Sequence, residues 1–330
     1  MIDNFYVLFR CFLYITYTWP PADSSGIPDT KQTGGLFYMS MSTITGHTGL
    51  TALLGSPIAH SISPLMHNEA FRLLGLDYVY LCFDVNEETL PAAVAGLRTC
   101  GIRGFNLTMP NKNKIVELVD ELSPEAQLIG AVNTVLNDNG KLIGYNTDGY
   151  GFMQSVRDAG HDITGKNITV MGVGGASMAI CAQSALDGAN SVHIFARRTS
   201  RYWNRTQKFA ENLSAKTGCE VCLFDNDDHK ALKDSIAQSY LLINATSVGM
   251  IPDIDDTIIK DTSLFRPGLV VADVVYEPQE TRLLREAKAA GCQTFNGMYM
   301  LLHQGAKAFK IWMGQDMPVS IIKEKYFSVK

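Results

Sequence analysis

The stretch GFNLTMPNKNK, from Gly104 to Lys114, places Thr108 and Lys112 four residues apart around Pro110. A hydroxyl beside an ammonium could hold a polar substrate and pass it a proton. A solvated turn would use the same residue types, so the pair alone leaves both readings open. Other short polar motifs pose the same choice. SPIAHSISP offers Ser61 and Ser63, and Ser63 would also serve as a helix cap. GAVNT offers Asn133, otherwise a turn residue, and GYNTDGYG offers Asp148, otherwise a turn or cap before a helix at Phe152. LLHQGAK offers Gln304, otherwise a residue on a helix surface.

A second kind of chemistry is suggested by VMGVGGAS, which sets Gly172, Gly174 and Gly175 between an apolar strand and a long helix. The first glycine permits a tight turn and the second lets the backbone approach a pyrophosphate. The helix beyond supplies free N–H groups and the positive end of a dipole. The sixth position is Ser177 rather than Gly or Ala, so the flanking strand and helix carry this reading more than the spacing does. The next strand ends FARRTSR, with Ala196, Arg197, Arg198 and Thr199 and no carboxylate. An acid there would take the ribose hydroxyls of NAD, whereas a basic group takes the phosphate of NADP. Guanidinium pairs well with phosphate, so the charge favours NADP, with NAD as the second cofactor. Arginines on a solvated surface are the alternative.

The elements that must position these groups alternate. TGLTALLG, YVYLCFDV and IRGFNLTM read as strands, and SPLMHNEAFRLLG and ETLPAAVAGLRTCG as helices between them. Ser63 is expected to cap the first helix and Pro64 to open it. From Tyr150 onward, GFMQSVRDAG, the glycine-turn unit, SVHIFARR, YLLINAT and GLVVADVVY continue the alternation. Such βαβ units imply parallel or mostly parallel sheets, with ligands bound outside the carboxyl ends of the strands. MYMLLHQGAKAFKIWMG is strongly helical, and its pattern does not say which half it joins. The length of 330 residues exceeds what one typical core serves, so two lobes with a cleft between them are expected.

Bulk properties narrow the function classes. A net charge of -5 gives no basic footprint for nucleic acid, leaving small anionic ligands to local clusters of donors. Seven cysteines, an odd number scattered from Cys11 to Cys292, read as reduced thiols in a cytoplasmic protein. Cys219 and Cys222 have the CxxC spacing, but no second Cys/His pair matches it and the segment alternates like a strand. No metal is expected. FYVLFRCFLYITYTW near the N-terminus is too short for a membrane span and carries Arg10, and PPADSSGIPDTKQTGG after it has no core-forming pattern. Residues 1–42 are therefore expected to be a disordered or non-native extension, with the working protein starting near Met39 or Met41 and no membrane partner.

Taken in order, S-x-S-P, N-x-T-x-P-x-K, G-A-V-N-T, N-T-D-G, G-x-G-G-A, N-A-T-S-x-G-M and H-Q-G-A resemble the shikimate dehydrogenases, from about His47 to the C-terminus. MPNKNK and the insert-like RRTSRYWNRTQKF look more like the shikimate/quinate dehydrogenase branch. The resemblance implies an α/β fold of two lobes, an N-terminal α/β substrate domain over 43–148 and a Rossmann-type dinucleotide-binding domain over 149–296. Residues 297–330 would be helices returning to the substrate domain. It also implies that Ser61, Ser63, Thr108, Asn133, Asp148, Tyr276 and Gln304 hold the hydroxyls and carboxylate of a cyclohexene acid. Tyr80 would add a contact, and Lys112 would act as acid/base. Gly172, Gly174, Gly175 and Ala176 would carry the pyrophosphate, Arg197, Arg198 and Thr199 the adenosine end, and Thr246, Val274 and Gly297 the nicotinamide side.

The implied activity is reversible NADP-dependent reduction of 3-dehydroshikimate to shikimate, in the biosynthesis of chorismate and the aromatic amino acids, by a monomer or homodimer. An NAD-tolerant enzyme that also oxidises quinate and a nucleotide sensor without turnover are the alternatives. A sensor needs neither Lys112 nor Asp148. Desolvation would make a lysine a readier proton donor, while Asp148 beside it would favour the ammonium and orient it. Three departures stand out: Ile62 replaces a lysine frequent in the shikimate-specific branch, a change that should not touch the chemistry; Ala196 and Thr199 replace an asparagine and an acid usual in the quinate-accepting branch, which favours NADP; and Thr108 replaces that branch's frequent serine. The Thr108 methyl is expected to crowd the extra hydroxyl of quinate.

Overall fold

Two six-stranded sheets organise the chain, and the computed structural model describes them within residues 44–327. The expected extension over 1–42 lies outside the described residues. The first sheet starts with β1 (Gly49–Gly55), α1 (Ser63–Leu74), β2 (Tyr78–Asp84), α2 (Leu90–Thr99) and β3 (Gly104–Leu107), the alternation read from the sequence. To these the chain adds β4 (Glu121–Leu122), α3 (Pro124–Ile129), β5 (Thr134–Asp138) and β6 (Lys141–Tyr145). The strand order is β2-β1-β3-β5-β6-β4, and β5 alone runs against the others. Asn139 and Gly140, both at positive φ (52° and 92°), form the two-residue turn that reverses the chain between β5 and β6.

The second sheet is wholly parallel. It follows α4 (Asp148–Asp158) and comprises β7 (Asn167–Met171), β8 (Ser191–Ala196), β9 (Glu220–Asp225), β10 (Leu241–Asn244), β11 (Val270–Asp273) and β12 (Gln293–Phe295). Crossovers include α5 (Gly175–Leu186), α6 (Trp203–Thr217), α7 (His229–Gln238) and α8 (Arg282–Ala289). Its order, β12-β11-β10-β7-β8-β9, is the Rossmann order, with the direction of winding reversing between β7 and β10. Helix α6 takes up most of the stretch that reads as an insert: it is an ordinary crossover from β8 to β9. The chain closes with α9 (Met298–Met313) and α10 (Val319–Tyr326).

The pleat of β1 divides the core of the first lobe. Ala52 and Leu54 point to one face and pack with Leu90, Phe105, Ile115 and Val135. Leu53 points to the other, where Phe71 and Tyr80 meet Phe309, Trp312 and Ile322 of the last two helices. The helix that the sequence pattern left unassigned thus covers the first sheet, and the buried Trp312 donates its indole N–H to the Val135 carbonyl at 2.9 Å. The second lobe has its own cores, with Ile168, Val170, Ile180, Val192 and Ile243 on one side of the sheet and Phe195, Leu242, Val271 and Leu283 on the other.

Helix α4 joins the two lobes, and its glycines explain how closely. A Cβ on Gly149 would lie 2.3 Å from the Ala179 carbonyl oxygen of α5, and one on Gly151 2.7 Å from the Gln304 nitrogen of α9. Only bare backbone fits at these crossings, so α5 and α9 both press against the first turn of α4. Among the described residues no helix is long and apolar enough to cross a membrane.

Candidate active site

Three segments of the first lobe converge at the carboxyl ends of β1 and β3. The loop after β1 brings Ser61, and Ser63 opens α1. Ser63 does not cap that helix as its position suggested. It is the first helical residue, and Ser61 Oγ accepts its N–H at 3.2 Å. The Ser63 hydroxyl is thereby left to face inward. The loop after β3 carries Thr108 and Lys112 through a cis Met109–Pro110 bond. The Thr108 methyl is seated on β1, since a Cβ on Gly55 would be 2.2 Å from it.

Asp148 is the first residue of α4, where N–H dipoles favour a carboxylate. Its Oδ2 receives Lys112 Nζ at 2.6 Å and its Oδ1 receives Asn133 Nδ2 at 2.8 Å. Asn133, nearly inaccessible, also accepts from Thr147 N–H at 2.8 Å and from the Thr134 hydroxyl at 3.0 Å. A buried carboxylate with each oxygen paired is fixed in direction, and it fixes the ammonium in turn.

These groups line one cavity of about 280 Å3. Ser61, Ser63, Thr108, Lys112, Asn133, Asp148 and Gln304 contribute from the first lobe and α9, and Ala176, Val274, Tyr276 and Gly297 from the second lobe and its exit. The sequence-derived set is therefore gathered in one place, with Tyr80 the exception among the substrate residues. Tyr80 is fully buried and does not line the cavity; its hydroxyl donates to Asn106 Oδ1 at 2.9 Å. Burial raises the Tyr276 phenol above its ordinary range, keeping it a donor.

The glycine turn fits a dinucleotide. Gly172 has φ 112°, and a Cβ there would stand 2.8 Å from Thr246 Cγ2 across the gap between β7 and β10, so only glycine suits it. Ser177, the departure from the usual fingerprint, donates its hydroxyl to the Gly172 carbonyl at 2.5 Å and closes the turn. Cβ positions on Gly174 and Gly175 meet nothing within 4 Å, and the first turn of α5 has no side-chain cap, so its N–H groups are available. Thr246 is held by Asn244 Oδ1, and Asn244 donates to Asp273, whose other oxygen accepts from Thr281 at 2.7 Å.

Arg197, Arg198 and Thr199 are exposed at the end of β8, with Arg198 over the Trp203 ring at 4.6 Å. They do not join the cavity at Lys112. A second cavity of about 330 Å3 instead runs from Gly174 and Gly175 past Lys112 to Arg201, Tyr202 and Arg205. Arg205 reaches across to the first lobe, donating to the Gly130 carbonyl at 3.0 Å. Arg201 and Arg205 went unread in the sequence, although both lie within FARRTSRYWNR. Asn106 went unread too, inside the opening motif itself. Cys219 and Cys222, three apart on an extended segment, face opposite sides, and burial pushes the Cys219 thiol up to about 11. Among the described residues no cluster of His, Cys, Asp or Glu could hold a metal ion.

A Rossmann sheet opening on a polar cavity with a lysine–carboxylate pair defines a two-lobed, dinucleotide-dependent oxidoreductase. Residues 53–135 match the family model for the shikimate dehydrogenase substrate binding domain, and residues 297–325 that for the shikimate 5'-dehydrogenase C-terminal domain. The chain belongs to the shikimate dehydrogenase family. It is 52% identical over 284 residues to a shikimate dehydrogenase (NADP(+)) of Listeria innocua, covering 86% of this chain and 97% of that protein. The crystal structure of shikimate 5-dehydrogenase from Listeria monocytogenes, in complex with shikimate and NAD, has a TM-score of 0.83 at 51% identity, over 85% of this chain and 97% of that one. Quinate dehydrogenase from Corynebacterium glutamicum, in complex with NAD, has a TM-score of 0.76 at 30% identity, over 86% and 99%.

Proposed function

We propose that this protein interconverts 3-dehydroshikimate and shikimate with NADP, with Lys112 as the acid/base and Asp148 as its partner. The observation that carries the reading is the 2.6 Å pair of Lys112 Nζ and Asp148 Oδ2, lining a cavity shared with Val274 and Gly297 of the second lobe. The nicotinamide, when bound, would supply or accept a hydride at the ring carbon bearing the reacting oxygen. That oxygen gains negative charge as the ketone is reduced. Lys112 gives it a proton, and takes one back in the oxidative direction. Asp148 aims the ammonium and accepts a substrate hydroxyl, while Asn133 keeps the carboxylate from turning away. Ser61, Ser63, Thr108, Tyr276 and Gln304 hold the remaining hydroxyls and the carboxylate, and an acid lacking a hydroxyl would leave one of them unpaired.

Gly172, Gly174, Gly175 and Ala176 would hold the pyrophosphate, Arg197, Arg198 and Thr199 the adenosine phosphate, and Thr246, Val274 and Gly297 the nicotinamide side. The absence of an acid at the end of β8 supports NADP. Asp225, which pairs with Ala196 on β9, already accepts the Asp227 N–H at 3.2 Å. The division of labour is 43–148 for substrate, 149–296 for cofactor and 297–330 returning to the substrate side, with 1–42 outside the working unit. The protein works in the cytoplasm as a monomer or homodimer. NAD-tolerant oxidation of quinate is the second reading, favoured by the relatives bound to NAD.

Steady-state rates for shikimate and quinate, each with NADP+ and NAD+, on protein starting at Met41, separate the two. Dominance of shikimate with NADP+ is expected, and comparable rates with quinate or NAD+ would put the second reading first. Lys112→Ala is expected to lower kcat by about 10²–10⁴-fold while shikimate still binds. Loss of binding instead would make Lys112 an anchor rather than a proton donor.

A further inference from the structure

Tyr80 is held on every side. His67 stacks on its ring with centroids 4.4 Å apart and planes 5° from parallel. Asn68 grips its backbone, accepting the Tyr80 N–H at 2.8 Å and donating to its carbonyl at 3.0 Å. The hydroxyl so positioned donates to Asn106 Oδ1. Like Ser63, whose side chain also neighbours Tyr80, Asn106 lines the cavity beside that hydroxyl. Its amide hydrogens go to the Asn133 carbonyl at 3.1 Å and to Thr134 Oγ1 at 2.9 Å. With both hydrogens engaged and Tyr80 on one of the two acceptor sites of its oxygen, the side chain offers a ligand no donor and chiefly presents bulk.

We propose that Asn106 is a specificity-determining residue: it fills the space beside the Tyr80 hydroxyl and sets the wall of the cavity against acids carrying one more ring hydroxyl. This rests on the activity proposed above. Shortening Asn106 opens the space its amide fills and releases a preset phenolic donor into it. A further substrate hydroxyl then takes the place of the amide oxygen as partner to Tyr80. With Asn106 present that hydroxyl meets a filled wall, and the space that would let it reach Tyr80 is taken. The Thr108 methyl, which the sequence pointed to for this discrimination, lies beside Gly55, and Thr108 lines the same cavity.

The test compares shikimate and quinate by kcat/KM, or by calorimetric Kd where turnover is too slow, in wild type, Tyr80→Phe, Asn106→Ser, Asn106→Gly and the Asn106→Gly/Tyr80→Phe double variant. Tyr80→Phe alone is expected to keep the quinate-to-shikimate ratio within about twofold, and the Asn106 variants to raise it by about tenfold or more. Adding Tyr80→Phe to Asn106→Gly is expected to remove that gain. A tenfold fall in the ratio for Tyr80→Phe alone would mean that the hydroxyl already reaches substrate, and would overturn the proposal. So would an unchanged ratio in a folded Asn106 variant, or a gain that survives in the double variant. Should neither Asn106 variant fold, the conservative Tyr80→Phe arm decides. Wild-type protein that turns over neither acid would overturn the activity itself, a different failure from any of these.

Discussion

At the scale of single residues, the site is a set of side chains whose freedom has been removed by neighbours that do no chemistry. Asp148 is aimed by Asn133, and Thr246 by Asn244. Thr108 depends on the absence of a side chain at Gly55. A methyl added there would stand 2.2 Å from Thr108 Cγ2 and 3.1 Å from the Met109 carbonyl oxygen, so the loop must shift. Because Lys112 rides on the same loop, Gly55→Ala is expected to lower kcat/KM for shikimate by about 10²-fold, as misplacements near 1 Å do. Kinetics on a variant that melts like wild type would check this, and an unchanged kcat/KM would mean that the loop yields without moving Lys112. Thr108, Lys112, Asn133 and Asp148 were all legible in the sequence, because the ordered motifs that contain them settle what each residue alone leaves open. Asn106 stands in the same motif, yet its role was not legible, because the partners of its amide are brought to it by strands distant in sequence.

At the scale of elements, the alternation of strand and helix was legible wherever an apolar run ended in a glycine. The hairpin of β5 and β6 was missed despite the Asn139–Gly140 signal, since both strands are short and only half apolar. Nor could periodicity place α9, whose apolar residues would suit either sheet; the faces it covers are fixed by Trp312 and Phe309. The crossing of α9 with α4 is the joint on which the cavity depends. Gly151→Ala would set a Cβ 2.7 Å from both the Gln304 nitrogen and the Met300 carbonyl oxygen, atoms of backbone that cannot swing aside. The variant is expected to lose about 1–3 kcal/mol of stability, read as a lower urea midpoint at constant slope. Its KM for shikimate is expected to rise, because Gln304 and Asp148 move apart. A wild-type midpoint would show that the helices separate freely.

At the scale of the whole molecule, buried histidines set the response to acid. Burial holds the His67 imidazole down from 6.5 to about 3, and also lowers His161, His193 and His303. Between the folded and unfolded values the unfolded chain binds the proton and the folded one does not, so stability falls as pH drops below 6.5. Glu69, bonded to Arg72 and to Lys325 of α10, is lowered from 4.5 to about 2, so the stabilisation it provides is present above 4.5 and is lost as pH falls toward 2. His67→Phe replaces two unpartnered ring nitrogens with carbon. It is expected to flatten the dependence between pH 6.5 and 4 by up to about 1.4 kcal/mol per pH unit, the weight of one proton. Urea titrations across that range would measure it, and an unaltered slope would mean that water reaches the ring.

The cover that α9 and α10 lay over β1 and α1 also has a meaning in time. During synthesis β1, α1 and β2 leave the ribosome well before α9 and α10, so the Leu53 face of their sheet has only α1 against it until the last helices follow. The nucleotide-binding half, continuous in sequence, can close before them. A polypeptide cut short before Met298 would therefore hold a nucleotide fold beside a half-roofed sheet, sticky rather than active, and the release of the finished chain is the moment at which the enzyme comes into being.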